Sequence, residues 1–327
     1  MRAFNHINAK SLDEATALLK KDGSVAIAGG GDLLGALKDD IFPDYPKLVV
    51  NIKSIPELDN IVLDGNILKI GTLVTLADAA RNPLVIESAK AVSDAAGAAS
   101  SPTLRETTTI GGNVCQLPRC WYFRKLGNRF NCARKGGERC FAISGDNRYH
   151  SVFGTGVFKT DSNTNRGCIA VNQSDLAPIL AAMGAEFVTT ERTIKAADFF
   201  GVGVLSATVL NMGELLIEIR IPVSEVSKNC RYKRFAFRKS IDFPVLSVTV
   251  AVDADKSYRV VIGGAAPTPY IAVKAEEVVK GKNITDELAQ EAGIAAINGA
   301  KPYKENEYKL QIIKTLVKRE LIALGSN

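Results

Sequence analysis

The chain has 327 residues, 46% hydrophobic and 23% charged, with a formal net charge of +6. That length allows two or three domains with buried cores and demands no disulfide scaffold. The start, MRAFNHINAKSLDEATALLKK, lacks the apolar stretch of a secretory leader, and no run of about 18 apolar residues occurs. The expectation is a cytoplasmic protein without a membrane span. Two histidines, His6 and His150, leave little material for a histidine-centred triad or a multi-histidine metal site.

In chain order, SLDEATALLKKDG predicts a helix, SVAIAGGG a strand and DLLGALKDD a second helix. Ser11 and Asp32 are the expected caps, with Glu14 completing a capping box. The runs KLVVNI, NIVLDG and ILKIGTL read as strands, with Asp64-Gly65 as a hairpin signal. An alanine-rich pair of helical stretches interrupted by Pro83 follows, and TTTIGGNV leads into a cysteine-rich segment. Beyond Cys168 come a helix and a strand hairpin in DLAPILAAMGAEFVTTERTIKAADFFG, then the strand GELLIEIRIPVSE. From about Val223, RYKRFAFRKS, LSVTVAVDAD and YRVVIGGAA predict an antiparallel meander. ITDELAQEAGIAAI and NEYKLQIIKTLVKRELIALG predict helices. The economical reading is an α+β chain in two main parts.

Two glycine segments stand out. AIAGGGDLLGALK runs from strand through three glycines into a helix start, a form that brings amide N–H groups and a helix N-terminus against a phosphate. It is neither G-x-G-x-x-G nor a Walker A sequence, and a plain tight turn is the alternative. TTTIGGNV offers threonine hydroxyls, two glycines and the Asn113 amide. Two such segments, each expected after a β-like run, suit a large ligand with a diphosphate and a polar chain; a structural turn is again the alternative.

The stretch NVCQLPRCWYFRKLGNRFNCARKGGERCF carries Cys115, Cys120, Cys132 and Cys140, four of the six cysteines; Cys168 follows after a gap, and Cys230 reads as a small buried apolar residue. Arg119, Arg124, Lys125, Arg129, Arg134, Lys135 and Arg139 meet one acid there, Glu138. Clustered cysteines in a reducing compartment point to metal ligands. The spacings C-x11-C, C-x7-C and C-x27-C, counted from Cys120, lack the C-x2-C knuckles typical of structural zinc.

AIAGGGDLL, TTTIGGNV, QSDLAPILAAMGAEF and GELLIEIRIP, in this order, resemble the FAD-binding medium subunit of the xanthine dehydrogenase family of molybdenum hydroxylases. The segment 115–168 resembles the iron–sulfur loop inserted in the flavin subunits of 4-hydroxybenzoyl-CoA reductase and bacterial aldehyde oxidoreductases. The resemblance implies a two-part FAD-binding domain of the vanillyl-alcohol-oxidase-like (PCMH) type over residues 1–222, with lobes about 1–56 and 57–222. An α+β C-terminal domain with an antiparallel sheet and helices would occupy 223–327. It implies that Ala26, Ile27, Ala28, Gly29, Gly30, Gly31, Asp32, Leu33 and Leu34 wrap the FAD diphosphate. Thr109, Gly112 and Asn113 would contact the phosphate and ribityl region, Asp175 would hydrogen-bond the cofactor, and Arg234 would approach the flavin. For Asp175 the alternative is a helix N-cap; for Arg234, a solvated strand face. Cys120, Cys132, Cys140 and Cys168 would hold one [4Fe-4S] cluster, leaving Cys115 as a non-ligand. The arginines and lysines would balance the cluster's negative charge, with Trp121, Tyr122 and Phe123 shielding it.

By this resemblance the chain is an electron-transfer subunit with no catalytic acid or base of its own. Its implied partners are a large molybdopterin subunit, a small 2Fe-2S subunit, and ferredoxin or another one-electron carrier drawn to the basic loop. The substrate would be an aldehyde, an N-heterocycle or an aromatic acyl-CoA, the last by reductive dehydroxylation. Export of a folded complex on a partner's signal is compatible with it. A zinc-containing nucleic-acid-binding protein would explain the cysteine loop but not the glycine segments. A flavin-only oxidase would turn over as the isolated chain.

Overall fold

The computed structural model describes residues 1–158, 167–238 and 241–325. Lys159–Arg166 of the cysteine-rich segment, Lys239 and Ser240 of RYKRFAFRKS, and the last two residues lie outside the described residues.

Three sheets organise the chain. The first is parallel, with Leu48–Asn51 between Asn5–Asn8 and Ser24–Ile27. Helix Leu12–Leu19 returns the chain from the first strand to the second. Its Ser11 cap accepts the Glu14 N–H, while the Glu14 carboxylate reaches back to the N–H of Lys10, one residue before the one a capping box uses. Helix Leu33–Lys38 follows the triple glycine, but Asp32 makes no side-chain cap bond there.

The second sheet is antiparallel, ordered Ile61–Asp64, Ile67–Gly71, Leu216–Pro222, Glu186–Thr189, Thr193–Lys195. Its first hairpin turns on Gly65-Asn66, with Asp64 opposite Ile67 and Gly65 at φ +56°. Ile70, Ile219 and Phe187 share a register row and are buried under the alanine-rich helices. There are three of those helices, Leu76–Arg81, Pro83–Ser88 and Lys90–Ala98, where the sequence predicts two. Asn82 ends the first and caps the second through the Leu84 N–H, so Pro83 sits where its missing N–H costs nothing.

The third sheet is the predicted meander, Cys230–Phe235, Leu246–Val252 and Tyr258–Gly263, extended by Tyr270–Ile271. Helices Val273–Val279, Asp286–Ala295 and Tyr308–Gly325 cover it around a core that includes Val248, Val260, Ile313 and Val317. The α+β class and the antiparallel C-terminal sheet with helices are as expected. Among the described residues no helix is long and apolar enough to cross a membrane.

The second glycine segment departs from expectation. It follows the short helix Pro102–Arg105, not a strand, and is itself helical over Ile110–Val114. The Thr109 hydroxyl accepts the Gly112 N–H and so caps that turn. The cysteine-rich segment is mostly irregular, with 3-10 turns at Leu126–Asn128 and Ala133–Lys135; Gly156 pairs with Cys168.

Candidate functional site

The two glycine segments meet. Gly29 lies so close to the Thr107 carbonyl that a Cβ there would overlap it, and Gly30 turns the chain at φ +76°, a conformation that favours glycine. Between the segments opens a cavity of about 510 Å³, within the range of cofactor sites. Ala26, Ile27, Ala28, Gly29, Gly30, Gly31, Asp32 and Leu33 form one wall; Thr109, Gly112, Asn113 and Asp175 form another. Leu34 is not in the lining: it is part-exposed and packs back toward Gly30.

Asn113 is buried, and its side-chain oxygen accepts the Ser174 hydroxyl at 2.6 Å. Ser174 in turn accepts the Ala177 N–H, so the cap of helix Ala177–Ala182 comes from Ser174 and not from Asp175. Asp175 is buried and accepts the Tyr232 hydroxyl at 2.5 Å, with Arg234 Nε 3.4 Å away. Burial raises its pKa, opposed by Arg234 and Tyr232. Arg234 is neither a cavity wall nor a solvated strand face. It stands behind Asp175 and donates to the carbonyls of Ala98 and Asp242.

Asp32 lines the cavity, yet its carboxylate is turned to the cysteine-rich segment. It accepts the Leu117 N–H at 2.9 Å and pairs with Arg124 at 2.6 Å and Arg119 at 2.8 Å. That is why it does not cap its helix. Burial pulls the Arg119 guanidinium down to about 10, opposed by Asp32. The sequence reading missed several cavity residues: Ser100, Gln116, Leu117, Arg119, Ile241 and Phe243. Arg119 lies over the Phe243 ring at 4.6 Å.

A second, smaller cavity is lined by Cys120, Cys132, Cys140 and Cys168, together with Tyr122, Phe123 and Arg134. Cys115 belongs instead to the wall of the larger cavity, and Cys230 is packed in the apolar core. Burial pushes the Cys115, Cys120 and Cys230 thiols up to about 12. A hydrogen bond with Cys168 draws Cys140 down to about 6 and sends Cys168 up. Among the described residues no three His, Cys, Asp or Glu side chains are gathered as ligands of a metal ion. The thiols ring a space instead.

One buried cation, Arg134, borders that space, and a second, Lys135, follows it in the chain. Arg134 is 2% exposed and donates to the carbonyls of Gly203 and Ser206, while its Nε is buried without a hydrogen-bond partner. Lys135 is 4% exposed, bonded to Asn128 and 5.4 Å from the Phe123 ring centroid. Each lowers the pKa of a neighbouring thiol, Arg134 that of Cys168 and Lys135 that of Cys132, although the bond with Cys140 and then burial raise Cys168 overall, and burial raises Cys132. Four sulfur donors beside buried positive charge and an unused donor suit an anionic thiolate-bound group.

A cavity of this size, walled by two glycine segments and lined by a buried carboxylate, has the form of a nucleotide-cofactor site on an α+β scaffold. The family described as FAD binding domain in molybdopterin dehydrogenase matches residues 2–224, and that described as CO dehydrogenase flavoprotein C-terminal domain matches residues 231–324. The chain belongs to this FAD-binding family of the molybdenum hydroxylases. It is 31% identical over 324 residues to the aldehyde oxidoreductase FAD-binding subunit PaoB of Escherichia coli (strain K12), covering 96% of each chain. It is 25% identical to the carbon monoxide dehydrogenase medium chain of Hydrogenophaga pseudoflava, over 98% of this chain and 96% of that one. A solved carbon monoxide dehydrogenase structure from that organism superposes with a TM-score of 0.75 at 23% identity, over 99% and 98% of the chains, a likeness of fold.

Proposed function

We propose that the chain is the medium subunit of a heteromeric molybdenum hydroxylase. In this reading it carries FAD in the larger cavity and a [4Fe-4S] cluster among Cys120, Cys132, Cys140 and Cys168. The observation that carries the proposal is that one short stretch walls both cavities: Cys115, Gln116, Leu117 and Arg119 face the larger, and Cys120, Tyr122 and Phe123 the smaller. FAD, when bound, exchanges electrons singly or in pairs and a cluster exchanges them singly, so neighbouring sites suit a relay.

The protein's own residues bind and orient. Gly29–Gly31 permit close backbone approach to a diphosphate, and Asn113 is held by Ser174. Asp175, held by Tyr232 and Arg234, offers a buried carboxylate to the cofactor. Arg134 and Lys135 balance thiolate charge, and the buried Phe123 keeps water from the sulfur. A relay of this kind needs no acid–base residue here. The substrate, an aldehyde, an N-heterocycle or an aromatic acyl-CoA, would be met by a large molybdopterin subunit, with a small 2Fe-2S subunit between. Lys125, Arg129, Arg139 and Arg148 are exposed on the cysteine-rich segment and suit an acidic one-electron carrier such as ferredoxin. A cytoplasmic setting fits both reduced thiols and such a carrier. A zinc module for nucleic acid leaves the larger cavity without a role.

The test is anaerobic purification with the co-expressed partner subunits, followed by iron, sulfide, zinc and flavin analysis of this chain. About four irons and one FAD per chain are expected. Replacing Cys120, Cys132, Cys140 or Cys168 by Ser is expected to lose iron, while Cys115→Ser keeps it. Zinc without iron or flavin would overturn the proposal.

A further inference from the structure

His150 is buried, and its Nε2 lies 3.2 Å from the Cys120 sulfur. Its backbone is held on both sides. The His150 N–H donates to Asn147 O, and the His150 carbonyl accepts from Lys309 Nζ at 2.9 Å and Asn306 Nδ2 at 3.3 Å. Trp121 and Tyr122 flank the imidazole at centroid separations of 6.0 and 6.4 Å. Its other nitrogen, Nδ1, is buried without a hydrogen-bond partner.

That asymmetry fixes the tautomer. A proton on Nδ1 would leave a buried N–H without an acceptor and would set the Nε2 lone pair against sulfur lone pairs. A proton on Nε2 leaves only an unused acceptor at Nδ1 and aims an N–H at Cys120. We infer that His150 is a positioning residue that donates a hydrogen bond to the Cys120 sulfur and thereby raises the reduction potential of the iron–sulfur group held there. This rests on the cluster reading above. A donor on a ligand sulfur stabilises the more negative, reduced state.

The test is an EPR-monitored redox titration of the anaerobically purified complex carrying wild-type chain, His150→Phe or His150→Gln. His150→Phe keeps a ring without a donor, and His150→Gln keeps an N–H. With iron and FAD content unchanged, His150→Phe is expected to shift the cluster's redox equilibrium about tenfold toward the oxidised form, 59 mV for one electron. His150→Gln is expected to return most of that shift. An iron-replete His150→Phe protein with the wild-type midpoint overturns this inference and leaves the cluster reading standing. Iron-free wild type overturns both. Should His150→Phe fail to assemble, pulsed EPR of the reduced wild-type cluster with 15N-histidine decides. A histidine nitrogen coupling supports the donor, and its absence overturns it.

Discussion

At the scale of single residues, a side chain's environment decides its chemistry. Lys309 is fully buried, with its ammonium on the carbonyls of His150 and Gly264, and burial pushes its pKa down to about 7. A neutral amine still has two N–H groups for those two acceptors, so the folded state tolerates deprotonation. An unfolded lysine holds its proton to about pH 10.4. Between about pH 7 and pH 10 the unfolded chain therefore binds a proton that the folded chain lacks, and stability climbs with pH by about 1.4 kcal/mol per unit. Below about pH 7 this contribution is flat. Urea midpoints measured from pH 6 to pH 8, below the range in which the raised thiols Cys115 and Cys230 oppose the effect, are expected to show the rise in the wild type and to lose it in Lys309→Met. Gly29 is decided by space instead: Gly29→Ala drives a Cβ into the Thr107 carbonyl. Its flavin-to-protein ratio is expected to fall at least tenfold, with a lower melting temperature; normal flavin content would mean that the two glycine segments can part without loss.

At the scale of elements, Asp32 ties the start of helix Leu33–Lys38 to the cysteine-rich segment. Asp32→Asn removes the charge that faces Arg119 and Arg124, although Arg124 keeps the carbonyls of Pro118 and Leu117. Losing a largely buried, charge-assisted contact costs about 1–3 kcal/mol. The variant is expected to be cut faster by protease between residues 117 and 135 and to release both flavin and iron sooner; unchanged digestion would show that the arginines hold the segment without Asp32. This tie marks the limit of what the sequence reveals. Strands, the hairpin signalled by Asp64-Gly65 and the Ser11 cap are local, and their residue types declare them. Asp32 looks like a cap because Asp before a helix usually is one, but its partners lie 85 to 92 positions away. Arg234 alternates along a strand as a surface residue would, and only the fold sets it against Asp175. TTTIGGNV reads as an extended glycine loop because glycine disfavours helix, yet the Thr109 cap and packing against Thr72 hold it helical.

At the scale of the whole molecule, the C-terminal helix reaches back to the segment that carries the thiols. Asn306, fully buried at its start, donates to the carbonyls of Asn147, His150 and Ser151, and Glu305 accepts the Asn147 N–H. The chain's two ends of this contact are more than 150 residues apart. The cysteine-rich segment is mostly irregular, so little of its order comes from its own backbone pairing. Its opening should therefore depend on this clamp. Asn306→Ala takes a buried donor from three carbonyls, although that of Asn147 keeps the His150 N–H and that of His150 keeps Lys309 Nζ; the cost is about 1–3 kcal/mol, and each 1.4 kcal/mol raises the open fraction tenfold. If iron leaves through the open form, loss of iron to a chelator is expected to quicken about tenfold in Asn306→Ala. Flavin stays at the wild-type level, because no Asn306 contact reaches the larger cavity. Lys318→Ala on the same helix breaks only a surface pair with Asp286 and is the control, with wild-type kinetics expected. Equal chelation rates in all three proteins would show that the thiol segment holds itself closed; a parallel loss of flavin would show that the clamp serves the whole fold instead of the smaller cavity.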